Sequence, residues 1–253
     1  MIYLYGLMAP SAPPPATSVT ALEGVTGPVF SKTLPTGHLI YGHHDGQQIL
    51  ARRRLMLAHT AILEAASTAG TVLPMRFGLL ADSIDAVTAL VARQEKEIAS
   101  HFARLAGHVE YGVRISFPGP AALTQALSGN PALRTEKARL EGAADHFATA
   151  AFGRKLGEVL ERRRTDAQHK LVSRLRGFVA DLVLRAPETE FQVLNAHILL
   201  PASEEPSLPV RLSELAAGLD FAPTADPAIT LVGPAPLFNF VRLTLSSSPA
   251  KAA

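Results

Sequence analysis

Cysteine is absent from all 253 residues. Disulfides, thiolate metal sites and a cysteine nucleophile are therefore excluded. Tryptophan is absent as well, and aromatic residues make up only 6% of the chain. That is thin material for a base-stacking surface, and the RNP1 pattern of RNA-binding sheets is missing. No apolar run approaches the roughly 20 residues of a membrane helix. The opening Met1 to Leu7 is apolar, but it lacks a basic segment and meets Pro10 and the Pro13-Pro14-Pro15 run at once. It does not read as a secretory signal, so a cytoplasmic location without a membrane span is expected. Neither sign of charge dominates: 24 Lys and Arg against 22 Asp and Glu leave a net +2. The isoelectric point near 9.0 comes from that small excess, and no nucleic-acid partner is expected.

Familiar catalytic patterns are also missing. There is no G-x-x-x-x-G-K-[ST] or G-x-G-x-x-G loop to hold a nucleotide. H-E-x-x-H and G-x-S-x-G do not occur. His43, His44 and Asp45 have the right chemistry for a metal, but adjacent strand positions face opposite ways. They read as a polar turn before a helix. His101 and His108 read as surface histidines. His59 lies on the apolar face of a helix and reads as a satisfied core histidine. No pair of acids is spaced for general acid–base work. No catalytic residue, cofactor or metal site is expected, and a chain of this size without one leans towards binding.

What is present is a globular composition, 47% hydrophobic and 18% charged, with enough length for two small domains. Ile2 to Leu7 is an uninterrupted β-branched and aromatic run, as in a strand buried on both faces. Pro28–Leu34 and Leu39–Tyr41 read as further strands. Leu55, His59, Ile62 and Ala66 recur at helical spacing between Gln47 and Ala66, and Gly70 ends that helix. Val72 to Gly78 is a short strand or turn whose Pro74 demands an edge or a bend. Asp82 is positioned to cap a helix whose stripe runs through Ile84, Val87, Val91, Ile98, Phe102 and Leu105. Val109, Tyr111, Val113, Ile115 and Phe117 alternate with polar or small residues, the pattern of a half-buried strand.

The second half opens on a Gly, Pro, Ser and Asn-rich stretch, residues 119–135, read as a linker. A long helical pattern from Glu136 to Arg185 follows, with Phe152, Leu156, Val159, Arg163, Ala167, Leu171, Leu175, Phe178 and Leu182 on one face. Gly142, Gly153, Gly157 and Gly177 are points where it can bend. Phe191–Leu200 reads as a strand, Leu208–Leu219 as a helix, and Ile229–Val232 and Phe238–Leu245 as strands. The tail from Ser246 reads as disordered. Charge is segregated: residues 134–176 hold eleven Lys and Arg against six Asp and Glu, while residues 187–226 hold seven acids and only Arg211. Two solvated faces explain this, and so do two polar docking surfaces. The expected class is α+β in two domains: a ferredoxin-like variant over 1–118, then, after the linker, a helical domain with a small antiparallel sheet over 136–245, with 246–253 as the tail.

Several segments, in order, resemble the gas vesicle protein F/L family. The chain opens Tyr3-Leu4-Tyr5-Gly6-Leu7, as those proteins do. Ala58 to Glu64 followed by Val72-Leu73-Pro74-Met75-Arg76-Phe77-Gly78 resembles a histidine helix and the V-L-P-x-R-F-G signature. Glu110 to Arg114 fits the strand that closes the first domain. Phe152 to Leu156 with Glu161-Arg162-Arg163, and Leu194 to Pro201, are similar to two further family segments. Leu231 to Val241 resembles the ending T-G-P-W-P-P-Y-S-F-V, with Ala235, Leu237 and Phe238 in place of Trp, Pro and Tyr. The segment Leu79-Leu80-Ala81 also departs from the pattern.

The resemblance implies two α+β domains and no enzyme activity. It implies an accessory role in gas vesicle assembly, with the hydrophobic gas vesicle shell protein and other accessory proteins as partners. Two Pro-bearing motifs carry apolar residues that packing need not explain. Pro74, Arg76 and Phe77 in the first, and Pro234, Pro236, Phe238 and Phe240 in the second, are therefore the candidate protein-binding residues. The plainer reading is that both motifs only fold the chain. A ferredoxin-like regulatory protein that binds a small ligand is the alternative function, and a cryptic hydrolase has no sequence feature behind it.

Overall fold

The computed structural model describes residues 1–15, 17–20, 22–46, 49–141 and 145–243. Contacts gather the chain into two compact units. One is Met1–Val109 together with the segment from Pro234 onward, and the other is Glu110–Gly233. Both mix helices with antiparallel strands, so the class is α+β, as expected.

The first unit is built on β1 (Ile2–Met8), in which every residue is buried. After α1 (Thr17–Thr20) come β2 (Glu23–Gly24), β3 (Gly27–Leu34) and β4 (Gly37–His43). The helix α2 (Arg53–Ser67) leads to β5 (Val72–Pro74) and β6 (Leu80–Ala81), then α3 (Ile84–Arg93) and α4 (Glu95–Leu105). The sheet order is β2-β3-β4-β1-β5, with β6 also on β1. Pro74 thus closes an edge strand, where its missing N–H breaks no ladder. Tyr3, Tyr5, Met8, Ile40, Ile62, Leu63, Ala66 and Val72 share one apolar core. The β3–β4 turn is two residues, Pro35 and Thr36, because Leu34 pairs with Gly37. Gly37 has φ +146°, and a Cβ there would meet the Met8 carbonyl oxygen at 2.1 Å, so only glycine fits.

Three local expectations are corrected here. Ser83 and not Asp82 caps α3: Ser83 is extended, and its Oγ accepts the Ala86 N–H at 3.1 Å. The stripe from Ile84 to Leu105 is two helices, since Gln94 leaves helical geometry at φ −105°, ψ 17°. The helix read from Gln47 starts at Arg53 and ends before Thr68, short of Gly70. Gln47 itself lies outside the described residues.

The second unit takes β7 (His108–Ser116), then α5 (Gly119–Ser128), α6 (Pro131–Leu140) and α7 (His146–Leu175). It continues with β8 (Asp181–Leu184), β9 (Gln192–Pro201), a 3-10 turn at Ala202–Ser207, α8 (Leu208–Ala217) and β10 (Ala228–Ala235). The sheet order is β10-β7-β9-β8. The stretch 119–135, read as a linker, is mostly helix. Its prolines sit in the first turns of α5 and α6, where no N–H is lost, and Asn130 caps α6 through Leu133 N–H at 3.2 Å.

The pattern read as one helix from Glu136 to Arg185 is α6, α7 and a strand. Asp145 restarts the helix by accepting the Ala148 N–H at 3.0 Å. Beyond Arg176 the chain turns, and pairing with β9 (Leu182 opposite Ile198) makes residues 181–184 a strand despite Leu182's helical spacing. Gly153 and Gly157 lie inside α7 without ending it. Gly142 lies outside the described residues. The face of α7 is also shifted: Arg164, not Arg163, is buried, with its guanidinium on the Glu161 carboxylate. Residues 238–243 form a turn and an irregular segment instead of a strand, and the expected tail from Ser246 lies outside the described residues. Among the described residues no helix is long and apolar enough to cross a membrane.

Candidate functional site

A histidine on the inner face of α2 organises the first unit. His59, Ile62, Leu63 and Ala66 are its buried residues. Only 1% of His59 is exposed, so both ring nitrogens need partners. Nε2 lies 3.1 Å from the Met75 carbonyl oxygen. A carbonyl only accepts, so Nε2 carries the proton and donates it. Nδ1 is then the acceptor for the Tyr3 hydroxyl at 2.7 Å. The Gly78 N–H in turn donates to the Tyr3 oxygen at 3.4 Å. One ring therefore ties α2 to β1 and to both ends of the Met75–Gly78 segment.

Burial pushes the His59 pKa down to about 4, against a smaller opposing effect of the Met75 carbonyl. Burial also raises the Tyr3 and Tyr5 phenols. All three groups are neutral at pH 7, and none has a proton poised for exchange there.

Rings surround this histidine. Tyr5 lies nearly parallel to it at 5.4 Å and 22°, and Phe238 does so at 6.0 Å and 24°. Tyr3 and Phe77 meet it edge-on at 5.6 and 5.8 Å. These are the offset-parallel and T-shaped geometries that aromatic quadrupoles favour. Phe77 comes from the segment after β5, and Phe238 from the segment after β10. The two motifs singled out in the sequence thus meet on one histidine, 18 and 179 residues along the chain from it. The Phe238 segment is fixed by its own turn, with Phe240 N–H donating to the Leu237 carbonyl at 3.2 Å. It is also held by Arg104 of α4, whose guanidinium donates to the Phe240 carbonyl.

The seven candidate residues divide by burial. Pro74 pairs with Gly6 in the sheet and is buried, as are Pro236 and Phe240. These three hold the motifs in place. Arg76, Pro234 and Phe238 are exposed, and Phe77 is half-buried. Phe238 shows 37% of its surface, which is high for a phenylalanine. What sequence reasoning did not connect is His59 with the second motif: a polar residue inside an apolar helical stripe, and the resemblance to a histidine helix ahead of the first motif, gave no link to Phe238.

The second unit has polar pairs of its own. The Tyr111 hydroxyl donates to Glu205 Oε1 at 2.5 Å, and burial followed by that carboxylate pushes its pKa up to about 12. Glu110 is buried, and its carboxylate lies 3.2 Å from His197 Nδ1 on β9. Burial, then Arg185 and Arg114, lowers the His197 pKa. Asn195 donates to the Ala186 carbonyl at 2.8 Å. Among the described residues no three His, Asp or Glu side chains converge as a metal site would require.

The model of the family described as gas vesicle synthesis protein GvpL/GvpF matches residues 1–242. Gas vesicle protein F of Microcystis aeruginosa (strain PCC 7806) is 28% identical over 210 residues, covering 81% of this chain and 84% of that protein. Gas vesicle protein F of Streptomyces sp. (strain CB03234) is 28% identical over 244 residues, covering 94% and 98%. The crystal structure of GvpF from Microcystis aeruginosa superposes with a TM-score of 0.72 at 25% identity, over 96% of this chain and 99% of that one. For the GvpF structure from Anabaena sp. PCC7120 the TM-score is 0.78 at 24% identity, over 96% and 98%, a likeness of fold.

Proposed function

This chain belongs to the GvpL/GvpF family of gas vesicle synthesis proteins, and from that premise we propose that it is a non-enzymatic assembly factor that binds the hydrophobic gas vesicle shell protein. The observation that carries the reading is the meeting of the Val72–Gly78 and Pro234–Phe240 motifs on His59. A shell subunit exposes apolar surface before it assembles, and such surface aggregates unless covered. Phe238 and Phe77, with Arg76 next to Phe77 in sequence, offer aromatic and guanidinium groups of the kind that anchor protein interfaces. The neutral histidine behind them fixes the rings in advance, so little conformational freedom is lost on docking. Other accessory proteins of the vesicle are partners of the same surface or of the charged faces.

Capture of co-expressed shell protein on the affinity-tagged chain tests this. Arg76→Ala combined with Phe238→Ala removes two exposed groups, at the cost of one ring stacked on His59. Capture falls by about tenfold or more if each contributes as an interface anchor does, about 1 kcal/mol or above. The unfolding midpoint drops modestly through the lost ring contact with His59, and circular dichroism verifies that the variant is folded under the capture conditions. A folded double variant that captures shell protein as the wild type does overturns the proposal.

A further inference from the structure

The sheet of the second unit ends on β8, and among the described residues no strand pairs with its outer edge. β8 runs antiparallel to β9, with Val183 opposite His197. In such a ladder alternate residues turn their backbone groups to the partner and to the free side. The Arg185 N–H donates to the Asn195 carbonyl at 2.8 Å, so Asp181, Val183 and Arg185 are the residues that face β9. Leu182 and Leu184 therefore turn their N–H and C=O groups outward. The Leu182 N–H accordingly finds a local acceptor, Asp181 Oδ1 at 2.8 Å.

An open edge templates another strand unless something blunts it. The opposite edge strand, β10, carries Gly233 and Pro234. β8 has neither glycine nor proline. Leu184 is 44% exposed, and Asp181 and Arg185 are exposed as well. The edge is also its own chemical mirror. Read outward from Val183 in either direction, Ala180-Asp181-Leu182-Val183-Leu184-Arg185-Ala186 gives leucine, a charge and alanine, and the two charges are opposite in sign.

An antiparallel copy centred on Val183 sets Leu182 against Leu184 of the second copy. Both turn their backbone groups outward, so this register closes hydrogen bonds. It also sets Asp181 against Arg185 of the second copy, at positions without ladder bonds, where side chains approach most closely. A register centred on Leu182 or on Leu184 puts a charge opposite Val183 instead.

We propose that β8 pairs antiparallel with β8 of a second copy of this chain, about a two-fold axis at Val183, and so joins two four-stranded sheets into one. On pairing, the Asp181 carboxylate gives up the Leu182 N–H and meets Arg185 of the second copy. The strand is short, so the dimer is weak and forms with rising concentration. This surface belongs to the second unit and does not involve the aromatic patch around His59.

Sedimentation equilibrium of the full chain tests this. The weight-average mass rises from 26.8 kDa towards twice that value as the concentration goes from micromolar to millimolar. Asp181→Arg sets like charges opposite each other at two symmetric places and raises the dissociation constant about tenfold, and Arg185→Asp does the same. The double reversal, Asp181→Arg with Arg185→Asp, restores wild-type association, a rescue that a merely structural role of either residue does not give. Leu184→Pro removes an outward N–H, so β8 keeps its bonds to β9 while dimerisation is abolished. Circular dichroism verifies that the variants are folded, and the double reversal carries the test if Leu184→Pro is not. Phe238→Ala dimerises as the wild type does, which separates this surface from the one proposed for the shell protein. Single reversals without effect, a double reversal without recovery, a folded Leu184→Pro that still dimerises, or dimerisation lost in Phe238→Ala overturns the proposal. So does a chain that stays monomeric at every concentration, an outcome that leaves the edge to a strand of a different protein.

Discussion

Replacing His59 by alanine will cost the folded protein about 4 kcal/mol, the scale of removing a large buried ring and leaving its hydrogen-bond partners unpaired. Two effects add. The imidazole fills space between Tyr5, Phe77 and Phe238, and its loss opens a cavity in a packed core. The Met75 carbonyl and the Tyr3 hydroxyl then lose their buried partner. Urea unfolding of the variant and the wild type reads the difference directly. A loss under about 1 kcal/mol would mean that the ring is not the tie between α2, β1 and the Val72–Gly78 segment.

The same ring gives the protein a specific pH dependence. Folded, His59 takes a proton only near pH 4; in the unfolded chain it does so near 6.5. Between those values the unfolded state holds the extra proton, so lowering the pH favours unfolding. The contribution is intact above pH 6.5, is lost progressively as pH falls towards 4, and changes no further below that. From pH 7 to pH 5 the expected loss is about 2 kcal/mol, and about 3 kcal/mol over the full interval. His197 and His101 are also shifted downward, mainly by burial, and add to the wild-type slope. The His59 share is isolated by His59→Gln, whose amide does not titrate. Unfolding free energies at pH 7, 6 and 5 should fall less steeply in that variant by about the stated 2 kcal/mol. Parallel slopes in the two proteins would contradict the buried neutral ring.

Much of this was legible in the sequence, for identifiable reasons. β1 announced itself as a continuous β-branched and aromatic run, and β7 as a strict alternation. Composition and pattern gave the α+β class. Proline was the misleading residue. Pro120 and Pro131 sit in the first turns of helices, so a stretch that reads as a linker is helical. Pro234 lies in β10, which ends its sheet and so tolerates a missing N–H. Helical spacing carried the long helix too far, because pairing with β9 outweighs the local periodicity of Phe178 and Leu182. Both candidate motifs were visible as short segments. Their meeting was not, because nothing local links residue 59 to residue 238. The burial of Pro74, Pro236 and Phe240 was equally hidden, since an apolar motif looks the same whether it packs inward or faces a partner.

Photo-crosslinking tests the proposed shell-binding surface most directly. A benzophenone amino acid placed at Phe238, beside the buried histidine, reports what that patch touches during vesicle assembly. The same probe at Phe147, 92% exposed on α7, serves as the comparison. The account predicts a crosslinked adduct with the shell protein at position 238 and none at 147. An adduct at 147 with none at 238 would contradict it.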